Sequence, residues 1–380
     1  MRILITTDLY KPAVNGVVTS VENLADGLIK DGHDVRILTL SNSHHSMKVG
    51  NIYYIGSVNA GIIYPNVRIL MAAGKDIVDE IVDWKPDVIH TQCEFSTFIY
   101  AKIIAHRTNA PIVHTYHTVY ESYTSYFCPS RRLGRELVKS FTRTITDHTE
   151  AVIVPTGKIS DMLEGYEVHT PMYVIPSGIK LDRFINDNIG KRREIRERLG
   201  IGEDECVLTF VGRVAKEKNI EEILEFMQDE RTRNIRFLIV GDGPDREEVE
   251  SEAARLGVAD RVIMTGMIRP EEVADYYKAG DIFVSASTSE TQGLTYMEAM
   301  ASGLTLLCRK DDALDGVVEF GRNGFTYESK EDFIITLNNL MNNARVRKTV
   351  GENARKSVYE KYSVETFVND CEKIYSNLVA

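Results

Sequence analysis

Short β-branched runs alternate with longer amphipathic stretches along this chain, and past the middle the alternation starts afresh. In the first half, strands are expected at 2–7, 35–40, 87–91, 111–115 and 151–154, with helices near 18–31, 68–83, 95–107 and 131–149. In the second, strands are expected at 207–211, 237–240, 262–265 and 282–285, with helices near 219–229, 244–256, 270–279 and 294–301. Strands kept apart by helices cannot pair as hairpins, so each series builds a parallel sheet from βαβ units. Two series in 380 residues predict two doubly wound α/β, Rossmann-like domains facing each other across a cleft. The Pro176-Ser177-Gly178 segment is the expected linker, giving domains over 1–176 and 177–360, and the last helix, about 361–380, is expected to pack back on the first domain.

Charge follows the same division. Residues 1–150 hold 15 basic and 15 acidic residues, so the whole net charge of −11 falls on 151–380. An acidic chain of this kind is not a general nucleic-acid binder. The five cysteines (Cys93, Cys128, Cys206, Cys308, Cys371) form no C-x-x-C and no metal-ligand spacing with histidine, as in proteins of the reducing cytosol. The opening Arg2–Thr7 run reads as a strand and is too short for a signal-peptide apolar region. No window approaches the roughly 18–20 apolar residues of a membrane span, so a cytoplasmic protein is expected.

Three strands of the second series run directly into Gly212, Gly241 and Gly266. Ligands of open parallel sheets bind outside the carboxyl ends of the strands, where glycine lets backbone approach them closely. Tight βα turns account for any one of these glycines; three in register point to one crevice. The segment Ser285–Gly303 ends a strand, crosses a polar loop and opens a helix near Leu294. A helix start offers unpaired N–H groups and a positive dipole end, which suit a diphosphate. Glu290 precedes that helix and Glu298 lies one turn inside it, an arrangement that also fits a solvated loop residue and a helix-face ion pair. In Gly212-Arg213-Val214-Ala215-Lys216-Glu217-Lys218-Asn219, Arg213 and Lys218 leave one βα loop. They are either surface charges or the cations that hold both phosphates of a nucleoside diphosphate. Asn15-Gly16 opens the first helix, a further phosphate-tolerant start.

With these residues in place, the chain resembles the retaining GT-B glycosyltransferases of the family that includes sucrose- and glycogen-synthase relatives and mannosyltransferases. The resemblance rests on Glu290-x7-Glu298, Gly212-Arg213…Lys218, Gly241-Asp242-Gly243-Pro244 and Asn323-Gly324-Phe325, and it covers nearly the whole chain. It implies that Arg213 and Lys218 grip the donor diphosphate, that Glu290 contacts the transferred sugar and that Glu298 contacts the ribose. Backbone around Gly293, Leu294 and Thr295 would touch sugar and phosphate, backbone near Ile268 would hold the base, and Gly16 would close over the donor. Gln292 is expected to read sugar hydroxyls. The chain departs from the family in having Leu304-Thr305 where proline is common, which affects strand entry only.

A narrower resemblance is carried by His114–Tyr126 and by the Thr91-Gln92-Cys93-Glu94-Phe95 turn. Both look like the corresponding segments of bacterial diacylglycerol glucosyltransferases, which implies that His117 lies beside the reacting sugar. Just downstream, Leu133, Leu137, Phe141 and Ile145 repeat every four residues, while Arg131, Arg135, Lys139 and Arg143 repeat with an offset of two. The apolar stripe is expected to pack inward and the basic one, with Arg132, to face an anionic membrane. Tyr120, Tyr123, Tyr126 and Phe127 are expected to seat at the interface.

The resulting expectation is a metal-independent hexosyltransferase, peripheral on the inner face of the cell membrane, needing no cofactor and no obligate protein partner. It would move glucose from UDP-glucose to 1,2-diacylglycerol. Another acceptor (phosphatidylinositol or a soluble sugar), another nucleotide sugar, and a non-catalytic nucleotide-binding role stay open at this point.

Overall fold

A computed structural model describes residues 1–13, 15–59, 68–70, 74–121, 130–185 and 189–380. The chain divides into two units, one comprising Met1–Gly178 and Val364–Ala380 and the other Ile179–Ser363. The first holds β1 (Arg2–Thr7), β2 (Asp34–Leu40), β3 (Met47–Val49), β4 (Ile52–Ile55), β5 (Ser57–Asn59), β6 (Arg68–Leu70), β7 (Val88–Thr91), β8 (Ile112–Thr115), β9 (Ala151–Val154) and β10 (Met172–Val174). Eight of these form a sheet in the order β10-β9-β8-β7-β1-β2-β4-β3, parallel except for the β3–β4 pair. The second unit holds β11 (Cys206–Val211), β12 (Ile235–Val240), β13 (Val262–Met264), β14 (Ile282–Ser285), β15 (Thr305–Arg309) and β16 (Gly324–Tyr327). They form an all-parallel sheet in the order β13-β12-β11-β14-β15-β16.

Both orders reverse direction once, between β1 and β7 in the first unit and between β11 and β14 in the second. Loops leaving the carboxyl ends of strands on either side of a reversal diverge, and the crevice they leave is where an open α/β sheet takes its ligand. The central strands are buried on both faces, as Ile3–Ile5 and Phe237–Ile239 illustrate, because helices cover each side.

The C-terminal helix Val364–Val379 belongs to the first unit for a reason visible in its sequence. Phe367, Val368, Cys371 and Tyr375 recur at helical spacing and enter the core with Ile3, Val21 and Leu24. The helix lies so close to helix Gly16–Lys30 that a Cβ on Gly27 would stand 2.4 Å from a Val368 methyl.

Two local expectations are corrected. The stretch 68–83 is not one helix: Arg68–Leu70 pairs antiparallel with Ser57–Asn59, and the helix begins only at Lys75. The strand-end glycines do not all serve an incoming ligand. A Cβ on Gly241 would lie 1.9 Å from the Gly212 carbonyl oxygen, and one on Gly243 would lie 2.1 Å from that of Val214. Their missing side chains let the loops after β11 and β12 pack backbone to backbone, with Val214 N–H donating to Asp242 O.

Candidate active site

In the second unit the reversal point gathers the residues singled out by the motifs. β11 ends at Val211, and the following loop carries Arg213 and the single turn Lys216–Lys218. The loop after β14 carries Glu290, and the two loops meet in an ion pair, Lys218 Nζ to Glu290 Oε1 at 2.6 Å, with side chains only 20% and 15% exposed. The Arg213 guanidinium pairs with Glu217 on its own loop. The hydroxyls of Ser287 and Ser289 donate to the Glu217 carbonyl at 3.4 and 3.3 Å, so Glu217 ties the two loops together through backbone as well.

Gly293, at φ +72, turns the chain into helix Leu294–Ala301, which starts without a side-chain cap. The Tyr296 ring packs under this glycine, and its hydroxyl donates to Ser285 Oγ at 2.9 Å. Thr295 sits in the first turn of the helix and Gln292, just before it, is buried. Glu298, one turn in, accepts a hydrogen bond from the Tyr277 hydroxyl at 2.9 Å. Burial pushes its carboxyl pKa up, against the pull of Tyr277 and of the Arg183 charge. Ile268 lies past the end of β13, separated from β11 by β12, and is partly buried against the core. Lys218 and Glu290 are therefore brought together, with Arg213 on the same loop as Lys218, while Glu298 lies one turn into the helix with Tyr277 and Ile268 lies past β13. Glu217 and Tyr277 were not foreseen from the sequence.

The first unit has its own polar cluster at the β1–β7 reversal. Asp8, past β1, accepts from the backbone N–H groups of Ser96 and Thr97 at 3.1 and 2.7 Å, capping helix Ser96–Thr108. Burial pushes the Asp8 pKa up. Asn15 caps helix Gly16–Lys30, its Oδ1 accepting from Val18 N–H at 2.9 Å, so Gly16 is the first residue of that helix. Past β7, Gln92 and Glu94 turn inward and are 2% and 5% exposed. His117 Nε2 lies 2.7 Å from Gln92 Oε1. His114 Nδ1 lies 2.7 Å from Thr91 Oγ1, and its Nε2 lies 3.4 Å from Glu94 Oε1. Tyr120 donates its hydroxyl to the other Glu94 oxygen. Burial pulls the His117 pKa down to about 4, with Glu94 opposing and His114 assisting, so the ring is neutral at physiological pH.

The helix foreseen at 131–149 runs Arg131–Thr146 with Ser130 as its cap, but its faces are not those expected. Gly134, Val138, Thr142 and Ile145 are the inward positions. Leu133 and Leu137 stand 56% and 52% exposed. The basic stripe is partly neutralised: Lys139 and Arg143 both pair with Glu167, and Arg135 pairs with Glu121. Val138 packs with Tyr116, Val152 and Val154 on the inward face, while Glu167 draws Lys139 and Arg143 of the basic stripe to itself. Arg132 is exposed. Tyr120 is partly buried and packs edge-on against Phe95, Tyr116 and Phe141. Tyr123, Tyr126, Phe127 and the Arg131 side chain lie outside the described residues.

Phe95 also stacks on Phe141, centroids 5.5 Å apart, so the exposed row Phe95, Ile99 and Ile103 on one helix meets the row Leu133, Leu137 and Phe141 on the next. Among the described residues no helix is long and apolar enough to cross a membrane.

Comparison with known proteins agrees with this geometry. Residues 191–357 match the family described as "Glycosyl transferases group 1", and residues 14–183 match "Glycosyltransferase Family 4". The chain is 34% identical to the alpha-monoglucosyldiacylglycerol synthase of Streptococcus pneumoniae, over 98% of this chain and 88% of that one. It is 33% identical to the synthase of the same name from Acholeplasma laidlawii, over 100% and 98%. Among solved structures, Anabaena HepE in complex with UDP-glucose superposes with a TM-score of 0.77 at 17% identity, covering 99% of this chain and 100% of that one. Sucrose-phosphate synthase from Thermosynechococcus elongatus gives 0.79 at 21%, covering 99% and 98%.

Proposed function

The chain belongs to the group 1 glycosyl transferases and has their GT-B fold, and from that premise we propose that it transfers glucose from UDP-glucose to 1,2-diacylglycerol with retention, giving an α-monoglucosyl lipid. The observation that carries the reading is the meeting of Lys218 with Glu290 at the β11–β14 reversal, beside Arg213, in a chain one-third identical to alpha-monoglucosyldiacylglycerol synthases along nearly its full length. Departure of UDP leaves negative charge on the diphosphate. Arg213, Lys218 and the uncapped start of helix Leu294–Ala301 offset that charge without a metal. Glu290 holds hydroxyls of the departing sugar and Gln292 assists it. Glu298 takes the ribose, backbone at Gly293, Leu294 and Thr295 contacts sugar and phosphate, and backbone near Ile268 holds the base. His117 and Gly16 act from the first unit.

The acceptor reading draws on the same kind of argument. Gln92, Glu94, His114, His117 and Tyr120, which touch one another at the first edge, include a carboxylate and no lysine or arginine. A neutral hydroxyl suits such a cluster and a phosphate-bearing acceptor does not. The exposed apolar rows through Leu133, Leu137, Phe95, Ile99 and Ile103, with Arg132 and Arg135 alongside, suit an anionic bilayer on the cytoplasmic side.

The test is incubation of the protein with UDP-glucose and diacylglycerol in anionic vesicles, with and without EDTA, scoring UDP release and the anomeric form of the lipid product. An α-linked monoglucosyl lipid formed equally in EDTA is expected. Release of UDP without glycolipid would discard the acceptor. Loss of turnover in EDTA, restored by Mg²⁺, would discard the charge-compensation argument.

A further inference from the structure

His117 is held at one ring nitrogen by one side chain. Its Nε2 lies 2.7 Å from the amide oxygen of Gln92, which only accepts hydrogen bonds, so Nε2 carries the hydrogen. In a neutral ring Nδ1 then keeps its lone pair, and among the described residues nothing occupies it. Gln92 is well placed to hold this arrangement. It is 2% exposed, and its backbone N–H donates to Thr6 O at 2.8 Å, tying the first residue past β7 to β1 at the reversal of the sheet. Its amide nitrogen is buried and has no partner among the described residues. A buried amide left half satisfied is costly, and one that nevertheless points its oxygen at a histidine is set there by the chain around it.

We infer that Gln92 is a positioning residue, which locks His117 as the Nε2–H tautomer and so presents Nδ1 as a hydrogen-bond acceptor to a substrate hydroxyl. The inference deepens the functional reading and rests on it for the presence of that hydroxyl beside His117. No proton is transferred: Nδ1 accepts a hydrogen bond and orients the hydroxyl, and the ring stays neutral. The charged and titratable groups facing the ring are Glu94, on the turn after β7, His114, on β8, and His90, on β7, itself buried. Their opposing influences leave burial as the dominant one, so His117 should not titrate across the neutral range.

The experiment uses the full-length protein with ¹⁵N-labelled histidine, His117→Ala to assign the signal, and the variants Gln92→Leu and Gln92→Glu. In the wild type the His117 signal should show Nε2 protonated and Nδ1 bare, unchanged through the neutral range. Gln92→Leu, which removes the acceptor at similar volume, should shift the ring toward a mixture of tautomers. It should lower kcat about 10- to 100-fold, the loss of one or two transition-state hydrogen bonds, with the UDP-glucose KM changed by no more than about 3-fold. Gln92→Glu keeps an acceptor but adds charge, so it should restore the tautomer and raise the His117 pKa, adding an acid limb to the kcat profile.

A wild-type ring protonated at Nδ1 would overturn the inference. So would a folded Gln92→Leu whose tautomer stays put, or one whose tautomer shifts while kcat does not. A ring found as described in a protein that transfers no sugar would instead sink the functional reading and leave the tautomer assignment standing.

Discussion

Replacing Gly293 by alanine tests whether the turn into helix Leu294–Ala301 needs glycine for its backbone, for space, or for both. At φ +72 an L-residue pays about 1–2 kcal/mol in backbone conformation. In addition, the new Cβ would stand 2.4 and 2.5 Å from two carbons of the Tyr296 ring. That ring is 1% exposed and its hydroxyl donates to Ser285 Oγ, so it cannot swing aside without breaking a buried hydrogen bond. Overpacking of this kind costs about 1–3 kcal/mol more. Gly316 is the natural control, since it lies in the same unit at φ +75 with nothing within 4 Å of its Cβ position. Gly316→Ala should therefore show the backbone cost alone. For a unit of this size each kcal/mol lowers Tm by about 2–4 °C, so thermal unfolding resolves the two. Gly293→Ala should melt well below Gly316→Ala and should gain less protection from UDP, because the helix start moves with the ring. Equal melting of the two variants would refute the packing argument.

Asp281 accepts from Arg192, Arg196 and the Val207 N–H, and Arg196 is only 3% exposed, so Asp281→Ala should destabilise the second unit by about 3–5 kcal/mol, measured by denaturant unfolding. Leu133→Ser with Leu137→Ser should leave the melting temperature unchanged but weaken vesicle binding about 10- to 30-fold, at about 1 kcal/mol for each half-exposed leucine; sedimentation with vesicles reads this. Glu298 carries a raised pKa in the fold, and a raised carboxyl contributes stability that is complete below its ordinary value of 4.5 and is lost as pH rises through the raised one. Glu298→Gln should accordingly melt above the wild type at neutral pH and alongside it in acid. Binding of UDP, followed by calorimetry, should weaken in the wild type as pH falls through the raised value and stay flat in Glu298→Gln.

The sequence made the long elements legible because they repeat a period: the five strands named in the first half and the four in the second all appear within two residues of their expected bounds. What it hid were elements too short to show a period, such as Met47–Val49 and Ser57–Asn59, and the strand character of β15 and β16, which the motifs at Leu304-Thr305 and Asn323-Gly324-Phe325 touch without spelling it out. Helix Lys330–Asn342 had a readable signal in its Ser329/Asp332 capping box. In the site, spacing and loop position placed Arg213, Lys218 and Glu290 in loops at one edge of one sheet, because parallel strands joined by helices all end at the same edge; that β11 and β14 are neighbours was not read. Pairing was not readable: nothing in the order of residues says that Lys218 reaches Glu290 or that Arg213 reaches Glu217. The helix Arg131–Thr146 misled for a related reason. Periodicity identifies faces but not which of them turns inward, and here Gly134, Val138 and Thr142 are buried while Leu133 and Leu137 stand exposed.

The two reversal points treat charge in opposite ways, and the contrast bears on the reaction. At the second, each cation has a carboxylate at hand, Lys218 with Glu290 and Arg213 with Glu217. A diphosphate arriving there would compete with carboxylates for cations that are already paired and partly buried, so part of the cost of drying them is met before it binds. At the first, burial drives His117 neutral and Tyr120 is tied to Glu94, so the groups on offer are hydrogen-bonding rather than cationic. A neutral hydroxyl can exchange one hydrogen bond for another in such a place, whereas an anion would meet the Glu94 carboxylate, which among the described residues has Tyr120 and His114 as its partners. On the function proposed above, one edge takes a diphosphate and the other an uncharged alcohol, the two halves that transfer from a nucleotide sugar to a neutral lipid requires.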